Sequence, residues 1–237
     1  IHLTNPDEVF YTQTAKEMVQ HNSWQVPYLF GQPQFEKPIF LYWLLRAGFI
    51  LFGVTSFSAR FFPALFAIIG VIAVYFFTLF ALKDEKKAFM SSLILMSSVL
   101  YIGLARTVFT DMIFSVLILL SLAAFFWGWA ETKAKKTGII LFFVFSALAV
   151  LTKGPLGIII PFISVVLFLA IKKELKFLFC PAAAWGLLLF CLIALPWYIF
   201  VIKKFGSVFI NEFFYNDHYR RLIEAEHRRH DTWYFYP

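Results

Sequence analysis

Seven apolar runs, at 39–53, 59–82, 88–105, 111–130, 137–152, 155–171 and 177–202, occupy most of the chain after residue 38. Short charged loops separate most of them. Inside lipid a backbone must satisfy its own hydrogen bonds, which a long apolar segment does as a helix. The chain is 61% hydrophobic and only 15% charged, whereas soluble domains carry roughly 25% charged residues. It reads as an all-α polytopic membrane protein.

Length does not say which runs cross. The 15 residues of run 39–53 make about 22 Å of helix against a hydrocarbon core of about 30 Å, and 137–152 is hardly longer. Charge decides instead. Lysines cluster at Lys83, Lys86 and Lys87, at Lys133, Lys135 and Lys136, and at Lys172, Lys173 and Lys176. The loops between these clusters hold one basic residue each, Arg106 and Lys153. Lysine-rich short loops face the cytoplasm. Loops 83–87, 131–136 and 172–176 are then inside, and 106–110, 153–154 and 203–237 outside. If 39–53 also crossed, residues 1–38 would lie inside, away from the other external loops. Arg46 in mid-run, behind Tyr42 and Trp43, suits a helix lying in the interface. The expected architecture is an external loop 1–58 with helices at about 5–21 and 39–53, six transmembrane helices over 59–202, and an external segment 203–237. Lys203 and Lys204 are exceptions at an outer end, explained by snorkelling towards headgroups.

The net charge of +7 belongs to this topology and to contacts with membrane lipids; it is no nucleic-acid signal. Cys180 and Cys191 fall in one apolar run, about 16 Å apart along a helix, and cannot pair with each other. The sequence starts at Ile1 and stops at Pro237 without a leader or tail, and is expected to be a piece of a longer protein.

Residues 5–38 are the polar exception to this pattern. Asn5 is a good N-cap, Pro6 suits the first helical position and Glu8 has capping-box spacing. Val9, Ala15, Met18 and Val19 give this helix a weak apolar face. The topology gathers Asp7, Glu8, Glu36, Lys37, Arg106, Asp111, Lys153, His218, Arg220 and Arg221 on the outer face. Asp111 opens a span, where an acid complements the helix dipole; an ionisable group at a membrane boundary also calls for a partner or a task, and Arg106 is the near candidate. Lys153, in Thr152-Lys153-Gly154-Pro155, either snorkels or holds a phosphate as a point charge. Glu36-Lys37 is either a solvated ion pair or places Lys37 against a lipid phosphate. His227 and His230 at i, i+3 are weak evidence for a metal. Acids, lysines and arginines against a membrane point to chemistry on an anionic lipid, sugar transfer from a lipid phosphate among them.

Several of these residues form longer motifs. Asp7-Glu8-x-x-Tyr11, Ala15-Lys16-Glu17-Met18, Trp24-x-x-Pro27, Gly31-x-Pro33-x-Phe35-Glu36-Lys37-Pro38 and Tyr42-Trp43-Leu44 stand in one order. They resemble the first external loop of the lipid A aminoarabinose transferases, and of the wider polyprenyl-phosphate-sugar glycosyltransferases that include the protein O-mannosyltransferases. Phe52-Gly53-Val54, Ala59-Arg60-Phe61-x-Pro63, Thr110-Asp111-Met112 and Thr152-Lys153-Gly154-Pro155 extend the resemblance over nearly the whole chain.

The resemblance implies a GT-C fold with a further juxtamembrane helix in the last external segment. It matches Asp7 to an essential loop acid with Glu8 beside it, and Asp111 to a second external acid. It matches Lys37 to a lysine near the donor phosphate and Arg221 to an arginine of that region. With the residues singled out by position, Asp7 and Asp111 are the expected catalytic groups and Glu8, Tyr11, Lys37, Arg106, Lys153 and Arg221 the expected substrate contacts. Glu36 and His218 match a pair that can share a divalent metal ion in the aminoarabinose branch, although no cofactor is expected to be required. Phe10 stands where that family commonly has arginine, and Asp217 where a glutamate precedes the histidine. The function implied is inverting transfer of a sugar from a polyprenyl-phosphate donor to a lipid, glycan or protein acceptor. The place implied is the external face of a bacterial inner membrane. A transporter or flippase of lipid-linked sugar is the alternative, and it would carry ionisable residues in mid-membrane.

Overall fold

The computed structural model describes residues 5–213 and 215. Helix α1 covers Pro6–Gln20, with the Asn5 side chain accepting a hydrogen bond from the Asp7 N–H. The expected capping box does not form, because the Glu8 carboxylate points inward to other partners. The face also differs from the sequence reading. Glu8, Tyr11, Ala15 and Met18 are buried, while Val9 is 46% exposed. A short hairpin follows, β1 (Tyr28–Leu29) pairing antiparallel with β2 (Gln32–Pro33). Helix α2, Phe40–Phe52, has 13 residues and rises only about 20 Å, too short to cross a bilayer.

Helix α3 runs from Ser56 to Leu82 and begins with a Thr55–Ser58 capping box. Helices α4 (Glu85–Ser97) and α5 (Val99–Ala105) follow, bent by 66° at Ser98. The run 88–105 is therefore not one straight helix. The break falls at a Ser-Ser step where the Ser97 hydroxyl donates to the Ile94 carbonyl, the kind of side-chain competition that bends helices. Helices α6 (Thr110–Ala130), α7 (Lys135–Lys153), α8 (Leu156–Lys172) and α9 (Pro181–Phe205) complete the bundle.

Among the described residues four helices are long and apolar enough to cross a membrane: α3, α6, α7 with its preceding turn, and α9. The bent pair α4–α5 makes a fifth if taken as one span. Helix α8 has 17 residues, about 26 Å of rise. All six expected runs are helical, but only these four or five meet the length and composition of a span. The protein is an integral membrane protein.

Small residues let α6 and α7 approach closely. A Cβ on Gly138 would lie 2.5 Å from the Gly128 Cα, so this crossing depends on backbone-to-backbone contact. Ser121 and Ser146 meet in the same interface at 2.8 Å, with no exposed surface on either. The bundle's two ends differ. At one end the lysine-bearing loops meet: Trp129 donates to Glu174 at 2.8 Å, and Lys135 lies 4.3 Å from the Phe177 ring centre. At the other end α1, the hairpin and α2 cap the bundle. Trp197 of α9 donates to the Gln25 carbonyl, and Phe35 packs between Phe205 and Phe209. The loops that charge parity placed together do sit together.

Arg46 is the exception to the interfacial reading of α2. It is 3% exposed, donates to the Ser23 carbonyl and the Asn22 side chain, and lies 4.0 Å from the Trp24 ring centre. It does not snorkel; it fastens the 22–24 turn to α2.

Candidate active site

The capped end carries the charged residues. Asp111 is the second residue of α6 and Lys153 the last of α7. The close packing of those two helices brings their ends together, and the Lys153 ammonium donates to Asp111 Oδ1 at 2.6 Å. The two side chains remain 32% and 45% exposed. Gly154 ends α7 at φ 85°, a conformation that favours glycine, and the chain turns through Pro155 into α8. This turn aims Lys153 at Asp111 rather than towards headgroups. Arg106, the partner expected from its nearness in sequence, is exposed on the loop between α5 and α6; the partner of Asp111 is Lys153.

Glu8 ties α1 to this end. Its carboxylate accepts from Arg60 Nε and Nη2 of α3 at 3.3 and 3.2 Å, and from the Val108 N–H at 2.9 Å. Glu8 has no exposed surface, and its carboxylate is turned to Arg60 and the Val108 backbone. A charge is tolerated there because it is both paired and hydrogen-bonded. Val108 lies two residues before α6. The bond therefore sets the first turn of α1, with its exposed Asp7, at the same end as Asp111 and Lys153. Arg60 is the partner of Glu8 that site-by-site reading of the sequence passed over. Its signal was present: a cation in the first turns of the longest apolar helix calls for a partner as much as Asp111 does.

Tyr11, one turn after Asp7, is 6% exposed and meets Tyr42 of α2 edge-on at 6.2 Å. Lys37 is 8% exposed, which excludes the reading of Glu36-Lys37 as a solvated ion pair. Its segment is fixed from two sides. The buried Phe35 ring is locked among Phe205 and Phe209, and the Phe35 N–H donates to Glu212 beyond α9. Burial raises the Glu212 carboxyl above the usual carboxylate range, against the lowering effect of that bond.

The hairpin beside it is held by Glu17, which accepts from the Phe30 and Gly31 N–H groups at 2.9 and 3.0 Å and from Gln13 at 2.8 Å. Burial alone would raise the Glu17 carboxyl. The bonds from Gly31, Gln13 and Phe30, with His21 nearby, outweigh it and hold the group below its ordinary value. Gln34 accepts from Thr14 at 2.9 Å and donates to Glu36 at 3.3 Å.

His218, Arg220, Arg221, His227 and His230 lie outside the described residues; of the juxtamembrane helix expected within 203–237, the described part is the helical stretch from Ser207 to residue 213. Among the described residues no group of three or more His, Cys, Asp or Glu side chains stands together as a metal site. Glu36 is the one member of its proposed pair within them, so no step below runs through a metal.

The sequence profile of the dolichyl-phosphate-mannose-protein mannosyltransferases matches residues 2–208. The chain belongs to this family. Among curated relatives, the undecaprenyl phosphate-alpha-4-amino-4-deoxy-L-arabinose arabinosyl transferase of Edwardsiella ictaluri is 31% identical over 241 residues, 99% of this chain and 43% of the relative. The enzyme of the same name from Yersinia enterocolitica is 30% identical over the same shares. Two crystal structures of ArnT from Cupriavidus metallidurans, apo and bound to undecaprenyl phosphate, superpose with TM-scores of 0.84 and 0.85 at 25% identity. Each superposition covers 92% of this chain and 41% of the ArnT chain. The fold is therefore the GT-C membrane fold of ArnT. The chain spans under half the length of these two transferases, and the shared part is the one that holds Asp7, Lys37, Asp111 and Lys153.

Proposed function

We propose that this chain is the donor-binding and catalytic portion of an inverting glycosyltransferase that uses a polyprenyl-phosphate sugar. One observation carries the reading: the Glu8–Val108 bond sets Asp7 at the bundle end where Lys153 and Asp111 are paired. An exposed acid, a buried lysine and an acid–lysine pair then share one membrane boundary.

In such a reaction the acceptor hydroxyl attacks the anomeric carbon from the face opposite the phosphate. The carbon–oxygen bond to phosphate breaks, and the phosphate leaves with the electron pair. Asp7 takes the hydroxyl proton. Lys37 and Arg221 bind the phosphate and stabilise its growing charge, with Lys153 assisting from its pair with Asp111. Asp111 orients Lys153. Tyr11 and Arg106 line the approach. Glu36 with His218 would hold a divalent metal if one binds.

The acceptor is a lipid such as lipid A, another glycan or a protein hydroxyl; the relatives' names bear on the donor, an arabinose carried on undecaprenyl phosphate. We place residues 1–58 and 203–237 on the external face of a bacterial inner membrane, with the spans between them over 59–202. The flippase alternative gains no support, since the acidic and basic residues of α6, α7, α8 and α9 all lie in their end turns.

Incubating the intact gene product in proteoliposomes with a radiolabelled undecaprenyl-phosphate sugar and lipid A tests this. Labelled acceptor and released undecaprenyl phosphate are expected in equal amounts. Movement of labelled donor across the bilayer without either product would overturn the reading.

A further inference from the structure

The lysine-rich end of the bundle carries a second pocket, remote in the fold from the site above. It is open, about 840 Å³ in volume, and lined by Lys135, Lys173, Glu174, Lys176, Leu175 and Phe177. Two loops that are separate in sequence build it, the turn before α7 and the turn after α8. The αL conformation of Lys173, at φ 59°, ends α8 and starts the second of these turns.

The charges here are arranged for an anion. Its one lining acid, Glu174, is turned to Trp129, whose indole N–H it accepts at 2.8 Å. Lys135 is held against the Phe177 ring at 4.3 Å, and Lys172 lies 5.6 Å from the Trp129 ring. Among the described residues neither Lys135, Lys173 nor Lys176 forms an ion pair. The third lysine loop differs, since there Lys87 is neutralised by Asp84 at 3.2 Å. The Phe177 face holds the Lys135 ammonium at the pocket while leaving its charge uncompensated.

The surroundings say which anion. Ile171 is 81% exposed, Leu175 45% and Phe179 86%. On a membrane protein these side chains flank the pocket with acyl-chain contacts at the depth where the lysines meet headgroups. A free phosphate would gain nothing from them, and an acidic protein segment would have to displace lipid to arrive.

We propose that this pocket binds the headgroup of an anionic phospholipid in the leaflet on the lysine-rich side. Its phosphate sits among Lys135, Lys173 and Lys176, and its chains lie along Ile171 and Phe179. Such a lipid would brace α7 against α8 at the end opposite the proposed reaction centre, and the inference does not depend on the reaction.

The test is native mass spectrometry of the intact gene product, with phosphatidylglycerol and phosphatidylcholine titrated in separate runs. A juxtamembrane lysine contributes about fivefold in affinity for anionic lipid, so Lys135→Gln, Lys173→Gln and Lys176→Gln together should lower phosphatidylglycerol retention by on the order of a hundredfold. The charge-matched control Lys83→Gln, Lys86→Gln, Lys87→Gln should change it far less. Phosphatidylcholine should show little retention, and soluble glycerol phosphate should not compete. Equal losses in both triple variants would show diffuse charge attraction and overturn the site. Competition by glycerol phosphate would overturn the lipid assignment.

Discussion

Replacing Arg60 with Met removes the cation from Glu8 while keeping most of the side-chain volume. Glu8 would keep the Val108 N–H as a donor, but its carboxylate is only 1% exposed and would be left without that cation. Breaking a buried ion pair on one side costs about 3–5 kcal/mol. Arg60 is 18% exposed, so water recovers part of this and about 2–3 kcal/mol is the reasoned cost, on the order of 30- to 150-fold in an opening equilibrium. The loss should be local, because Glu8 connects α1 to α3 and to the loop before α6 rather than holding the bundle itself. Hydrogen exchange followed by mass spectrometry would show the first turns of α1 and residues 107–109 exchanging faster by that factor, with α6 and α7 unchanged. Donor turnover would fall with it, since Asp7 is positioned through Glu8. Glu8→Gln, which keeps an acceptor for Val108 and removes the charge that Arg60 had faced, should restore much of the protection in an Arg60→Met background. Exchange in α1 indistinguishable from the parent would refute the positioning argument, whatever the activity.

Lys153→Met should change the melting temperature little, because an ion pair this exposed contributes about 0–1 kcal/mol, yet it should lower turnover about 100-fold or more if the pair acts on the transition state; a scan of both quantities separates the two. Glu17 has a folded pKa below its ordinary 4.5, so its contribution is fully present above about pH 4.5 and is lost as pH falls through the lower folded value. The Phe30 and Gly31 amides should accordingly lose exchange protection only below that point, and Glu17→Gln should abolish the transition. Glu212→Ala removes the acceptor for the Phe35 N–H and should raise the donor KM more than it lowers kcat, whereas Glu212→Gln should stay near the parent; equal kinetics for the two variants would dissociate Glu212 from the Lys37 segment.

Much of the fold could be read from the residues because the strongest signals were local. Apolar runs marked α3, α6, α7 and α9 to within a few residues, and Asn5-Pro6 marked the start of α1. Among the described residues, the loops that lysine parity grouped together share an end of the bundle. Other features needed the third dimension. Asp111 was matched with Arg106 because they are near in sequence, but the antiparallel packing of α7 along α6 delivers Lys153 from 42 positions away. Glu8 looked like a capping residue until its buried partners, Arg60 and Val108, were visible. Arg46 looked like a snorkelling cation because no pattern in α2 announces that the 22–24 turn folds back over it. Ser98 stands in an apolar stretch that periodicity alone reads as unbroken.

The central claim is that the acid at the start of α1 works on the acceptor at the same centre where lysine cations receive the phosphate. Single-turnover transfer by Asp7→Asn, measured beside binding of undecaprenyl phosphate to the same variant, tests it most directly. The account predicts transfer lowered by about 100-fold or more, the range for removing a general base, with donor-lipid binding within about twofold of the parent, a difference below RT. Transfer at the parental rate, with the Asp7→Asn protein folded and binding the lipid, would contradict it.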